Sequence, residues 1–167
     1  MAPPDGVVGD VKVFGTDEQD AGPVDVRRWA DLARNVLLAE GVTGDAELSL
    51  LFVDEDTISG LNRRFMDEDG PTDVLAFPLD DPGGPTATPA GTGTPASAPS
   101  LLGDVVVCPA VAARQAREHA TSYDDEVALL VVHGVLHVLG HDHADVDEAA
   151  SMQARERELL QRFHRRT

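Results

Sequence analysis

The sequence predicts a mixed α/β or α+β domain in which one sheet is covered by helices. Three observations carry this expectation. Apolar periodicity switches between strand-like and helix-like, in the order β-α-β-α-β, a loop, then β-α-α-α. The 167 residues, 42% of them hydrophobic, fit one domain with a real core better than two, so 1–167 is read as a single domain. Cys108 is the only cysteine, which rules out an intrachain disulfide and a disulfide-stapled secreted scaffold.

The elements follow in order. Val11 to Phe14 is a short strand. Val24 to Glu40 is an amphipathic helix with Val26, Trp29, Ala33, Val36 and Leu37 on one face and Gly41 at its end. Glu47 to Val53 is nearly continuously apolar, as expected of a strand buried on both faces. Asp56 to Met66 is a short helix, and Thr72 to Phe77 a strand opened by Gly70-Pro71 and closed by Pro78. Asp104 to Cys108 is a β-branched strand, and Pro109 starts a helix to about Ala120. Ser122 with Asp125 forms an N-cap box that opens an apolar helix, Tyr123 to Leu139, ended by Gly140. A charged last helix spans Val146 to Phe163, with Met152, Leu159, Leu160 and Phe163 as its packing face.

One segment is low in complexity. Asp80 to Ser100 holds five of the 11 prolines and almost nothing to bury, so 80–100 is expected to be a flexible Pro/Gly/Thr-rich loop inside the domain. A long insertion of this kind adds little closure entropy.

Acidic side chains outnumber basic ones 30 to 13, for a formal net charge of −17. That argues against a whole-surface binder of nucleic acid or of anionic membranes. A groove answers to its local charges, however, and all the basic residues except Lys12 are Arg, which suits bidentate phosphate contact. The start, MAPPDGVVGD, has neither a basic region nor an apolar core of a signal peptide. The longest apolar stretch, Val127 to Val132, falls far short of the ~20 residues that span a bilayer. A cytoplasmic protein without a membrane partner is expected.

Four histidines crowd into His133-Gly-Val-Leu-His137-Val-Leu-Gly140-His141-Asp142-His143. His133 and His137, four apart on a helix, stand one turn apart on one face, where two imidazoles can bind one ion. Gly140 lets the chain turn back, so a third histidine just beyond it can reach the same ion. Three ligands and one open position make a catalytic zinc site, and the H-x-x-x-H-x-x-G-x-x-H spacing is the one metzincin proteases use. Those proteases need Glu after the first His as general base; this chain has Gly134, which argues against a peptidase. A structural metal would need a fourth protein ligand, and His141 could supply it, although an extended segment would point His141 and His143 to opposite sides.

The HGVLHVLGHDH segment resembles the motif of the YbeY family of single-strand-specific metallo-endoribonucleases, which act in ribosomal RNA maturation and ribosome quality control. Leu61-Asn62, the stretch Gly70-Pro71-Thr72-Asp73-Val74-Leu75-Ala76-Phe77-Pro78, and Leu102-Gly103-Asp104-Val105 resemble further blocks of that family. The resemblance implies a small α/β fold with a mixed sheet of about four strands and a metal in a groove beside it. It implies His133, His137 and His143 as ligands of one Zn2+ per chain, and Asp142 as a supporting group or proton acceptor. Members often carry Arg directly after the aromatic of the short helix, where this chain has Phe65-Met66, so Arg63 or Arg64 on the preceding turn is the expected substitute. Single-stranded or ribosomal RNA is the implied substrate, and the ribosome or its small-subunit proteins the implied partners.

Hydrolysis of RNA by a zinc-activated water, with an Arg stabilising developing charge, is the chemistry these residues suit. It requires Arg63, Arg64, Arg114 and Arg117 to line one groove locally, since RNA affinity rests on phosphate contact. Two alternatives stand beside it. A ribosome-assembly or rRNA-processing accessory protein with structural zinc would use His141 as fourth ligand. A zinc hydrolase of a small molecule would show a closed apolar pocket rather than an open groove.

Overall fold

A computed structural model describes residues 10–79, 100–141 and 145–164 of the chain. Its elements are β1 (Val11–Asp17), α1 (Val26–Ala39), β2 (Ala46–Phe52), α2 (Glu55–Met66), β3 (Val74–Pro78), β4 (Ser100–Val107), α3 (Pro109–His119), α4 (Tyr123–Val138) and α5 (Val146–Phe163). The strands form one mixed sheet in the order β1-β2-β4-β3. β1, β2 and β4 run parallel, and β3 runs antiparallel to β4 at the edge. This is the predicted mixed sheet under helices.

The helices begin where local chemistry satisfies their first amide groups. Asp25, Asp54, Ser122 and Asp145 each cap a helix, accepting the backbone N–H three residues on. For Ser122 that donor is Asp125, at 3.0 Å, as the N-cap box predicts. α1 buries Trp29, Leu32, Ala33, Val36 and Leu37 against one face of the sheet. α4 lies on the same face and is enclosed by the sheet, α1, α3 and α5, which explains why its apolar residues run almost all the way round.

The other face is covered less. Ile58 of α2, with Leu61 and Phe65, packs on Leu75, Phe77 and Val106. β2 therefore alternates: Ala46, Leu48, Leu50 and Phe52 are buried, while Glu47, Ser49 and Leu51 are half-buried. This corrects the expectation that β2 is buried on both faces. β1 runs three residues beyond Phe14, because its parallel register on β2 continues to Asp17 opposite Phe52. β4 begins at Ser100, inside the span expected to be loop, and pairs there with Ala46. The rest of that span, 80–99, lies outside the described residues.

β3 starts at Val74 rather than Thr72, because the Asp73 carboxylate accepts the Val74 N–H at 2.8 Å and turns the chain just before the strand. Cys108 N donates to the Asp73 carbonyl at 2.9 Å and Leu79 N to the Leu102 carbonyl at 3.1 Å. In an antiparallel ladder these two bonds fix the alternation: Asp73, Leu75, Phe77 and Leu79 bond to β4, and Val74, Ala76 and Pro78 face the open edge. Pro78 can thus end the strand without removing a ladder bond.

Candidate metal centre

α4 ends in a Schellman turn. Gly140 N donates to the His137 carbonyl and His141 N to the Leu136 carbonyl, both at 3.0 Å. Gly140 has φ +100, in the left-handed region where glycine is favoured. The turn takes the chain off the helix axis one turn after His137. Asp142 and His143 follow it and lie outside the described residues.

His133 and His137 stand on one face of α4 with ring centroids 5.0 Å apart. Both open into a cleft of about 310 Å³ between α4 and the edge strand β3, lined also by Met66, Asp73, Val74, Leu75, Ala76 and Gly134. The His133 side chain is 30% exposed there. Its Nδ1 meets the Glu156 carboxylate of α5, and Glu156 is buried. That contact leaves Nε2 as the ring atom a metal would take. Among the described residues no group of three or more His, Cys, Asp or Glu side chains is placed to hold a metal. The donor chemistry of the two described histidines still fits zinc: both are imidazoles, on one face, with one already oriented by a buried carboxylate.

Gly134 explains the missing protease glutamate. A Cβ at this position would come within 2.5 Å of Val105 Cγ1 and 3.3 Å of Val74 Cγ2. α4 is pressed against the sheet at this residue, so any side chain there would force Val105 or the helix to shift. Packing disfavours a base directly after His133.

His141 is held elsewhere. Its Nε2 contacts Glu40 Oε1 at 2.8 Å, while Glu40 Oε2 accepts from Arg155 Nε at 2.7 Å. The hydrogen bond to Glu40 keeps the Arg155 guanidinium above its ordinary pKa, well inside the charged state. His141 does not line the cleft of His133 and His137; it lines a separate hollow with Gly140, Asp147 and Met152.

The arginines are dispersed rather than gathered. Arg63 and Arg64 are exposed on the last turn of α2, and neither lines the cleft; Met66 does. Arg64 lies over the Phe65 ring at 5.1 Å. Arg114 pairs with Glu55 at 2.7 Å, and with Arg117 it lines a separate groove of about 580 Å³ along α3. The expectation that these four share one groove is corrected: Arg114 and Arg117 line this one and Arg63 and Arg64 do not.

Glu156 and Asp73 are the site residues sequence reasoning missed. Met152, Glu156 and Leu159 form one buried row of α5, so the available signal was an acid in the middle of an apolar stripe. Asp73 stands inside the Gly70–Pro78 stretch, but nothing in its spacing places it at the cleft.

A family model described as Endoribonuclease YbeY matches residues 15–164. The protein named Endoribonuclease YbeY of Thermobifida fusca is 49% identical over 145 residues, 86% of this chain and 88% of its own. Its namesake from Beutenbergia cavernae is 50% identical over 152 residues, 90% of this chain and 97% of its own. The solution structure of TM1509 from Thermotoga maritima superposes with a TM-score of 0.53 at 22% identity, over 92% of this chain and 91% of that one. At that identity the likeness is one of fold.

Proposed function

Because the chain belongs to the Endoribonuclease YbeY family, we propose that it is a zinc-dependent, single-strand-specific endoribonuclease that acts in ribosomal RNA maturation and quality control in the cytoplasm. The observation that carries the metal part is the facing pair His133 and His137 in one cleft, with His133 oriented by Glu156. His143 completes the ligand set. A bound zinc supplies an activated water and polarises a phosphoryl oxygen.

The chain's own residues do the rest. Among the described residues the cleft is bounded by an edge strand and a half-exposed Met66, which favours a polymer strand over a small molecule. Ala76 turns its N–H and C=O to that open edge, a donor and an acceptor of the kind an unpaired base can use. Asp142 takes the proton released by the attacking group. Arg63 and Arg64, on the last turn of α2 with Met66, contact phosphate and set substrate affinity. The placement of His141 in a hollow apart from the cleft speaks against its serving as a fourth protein ligand, and hence against a purely structural zinc.

The test is cleavage of a defined single-stranded RNA by zinc-loaded, nuclease-free protein. Wild type should cut it, and His137→Ala should lose activity by orders of magnitude. A 2′,3′-cyclic phosphate on the product would assign attack to the RNA hydroxyl; its absence would assign it to water. Equal activity in wild type and His137→Ala would refute the reading.

A further inference from the structure

α5 places no side chain in the lining of the cleft, yet two of its consecutive residues hold the histidine segment on both sides of the Gly140 turn. Glu156 meets His133 Nδ1 before the turn. Arg155 binds Glu40, whose other oxygen takes His141 Nε2 just after it. We infer that Glu156 is a positioning residue for His133, and that the docking of α5 thereby sets the metal affinity of the cleft. This rests on the reading of His133 and His137 as zinc ligands.

The physical case has three parts. A histidine that donates its second ring N–H to a carboxylate is fixed in tautomer and ring plane, and its metal-binding nitrogen becomes a stronger donor. Glu156 is only 7% exposed, and a buried carboxylate without a partner is costly, so the contact is part of the folded arrangement rather than a surface accident. Finally, α5 cannot easily slide or rotate under Glu156. Arg155 pins the preceding residue, with Nε on Glu40 at 2.7 Å and a further contact to the Ala39 carbonyl at 3.4 Å. The Asp145 cap starts the helix two residues after His143. Met152 and Leu159, both buried, seat the helix on the main core.

Zinc affinity measured by chelator competition on metal-free protein tests this. The isosteric Glu156→Gln variant should keep its metal-free melting temperature and bind zinc about 10- to 100-fold more weakly. A merely structural Glu156 would do the reverse: it would lower the metal-free melting temperature and leave zinc affinity unchanged. Hydrogen exchange of the unmutated protein needs no variant, and zinc should slow it across Met152–Leu159. Wild-type zinc affinity in Glu156→Gln, or exchange in α5 indifferent to zinc, overturns the inference. His137→Ala separates the two levels. If it loses zinc while Glu156→Gln does not, the positioning role fails and the ligand reading stands. If His137→Ala itself keeps wild-type affinity, both fall.

Discussion

At Gly134, α4 packs tightly against the sheet. Alanine is about 1 kcal/mol better than glycine inside a helix, so propensity alone would favour Gly134→Ala. Packing decides otherwise. The added methyl would meet Val105 Cγ1 at 2.5 Å, and Val105 is fully buried and β-branched, with little freedom to turn away. Overpacking of this kind costs roughly 1–3 kcal/mol. Gly134→Ala should therefore lower the urea midpoint; an unchanged or raised midpoint would mean that the helix backs away without penalty. At this same scale the sequence disclosed His133 and His137, because helical spacing alone puts i and i+4 on one face. It could not disclose Glu156 as their neighbour, since that contact spans 23 residues and depends on how α5 docks. Arg63 and Arg64 were legible as cations but not as exposed residues outside the cleft lining, because which side of a short helix meets solvent is a tertiary fact.

At the scale of elements, caps and breakers were the most legible features, because their chemistry is local. Ser122, Gly140 and Pro109 all stand where the sequence placed them. Strand ends were less so: β1 and β4 owe their extra residues to partners far away in the chain. The cap of α2 carries a pH signature. The Asp54 carboxyl is held below its ordinary value of 3.8, first by the Thr57 backbone N–H and then by the Thr57 side chain. A carboxylate depressed by folding stabilises the native state above its unfolded pKa, and that contribution disappears as pH falls through the folded value. The stability gap between wild type and Asp54→Asn, read from urea midpoints, should be present at neutral pH and close on acidification. A gap independent of pH would show that the cap does not act through its charge.

At the scale of the whole molecule, the proposed metal centre draws on α4, β3 and α5, so whatever binds there binds the folded state alone. A ligand at 100 times its dissociation constant adds about 2.7 kcal/mol. For a chain of this length that corresponds to a rise of roughly 5–10 °C in melting temperature. Zinc should produce that rise, and a chelator should abolish it, in calorimetry on wild type; His133→Ala should melt at one temperature with or without zinc. The acidic balance of 30 carboxylates to 13 basic residues sets the terms of RNA binding as well. With Arg63 and Arg64 on α2 and Arg114 and Arg117 on α3, few arginines stand near enough to the cleft to meet phosphate together, and the salt dependence of RNA binding should be correspondingly shallow.

The bond from Leu79 N to the Leu102 carbonyl, with Pro78 facing Gly103 beside it, closes the mouth of the β3–β4 hairpin inboard of residues 80–99. The clasp holds residues 79 and 102 together across neighbouring strands. Replacing residues 82–98 with a short linker should shift stability by no more than about 1 kcal/mol, in the favourable direction, as loop closure becomes easier. The same place would accept foreign cargo. An affinity handle or a dye-bearing peptide spliced there would report on the working protein from a site whose two ends already meet.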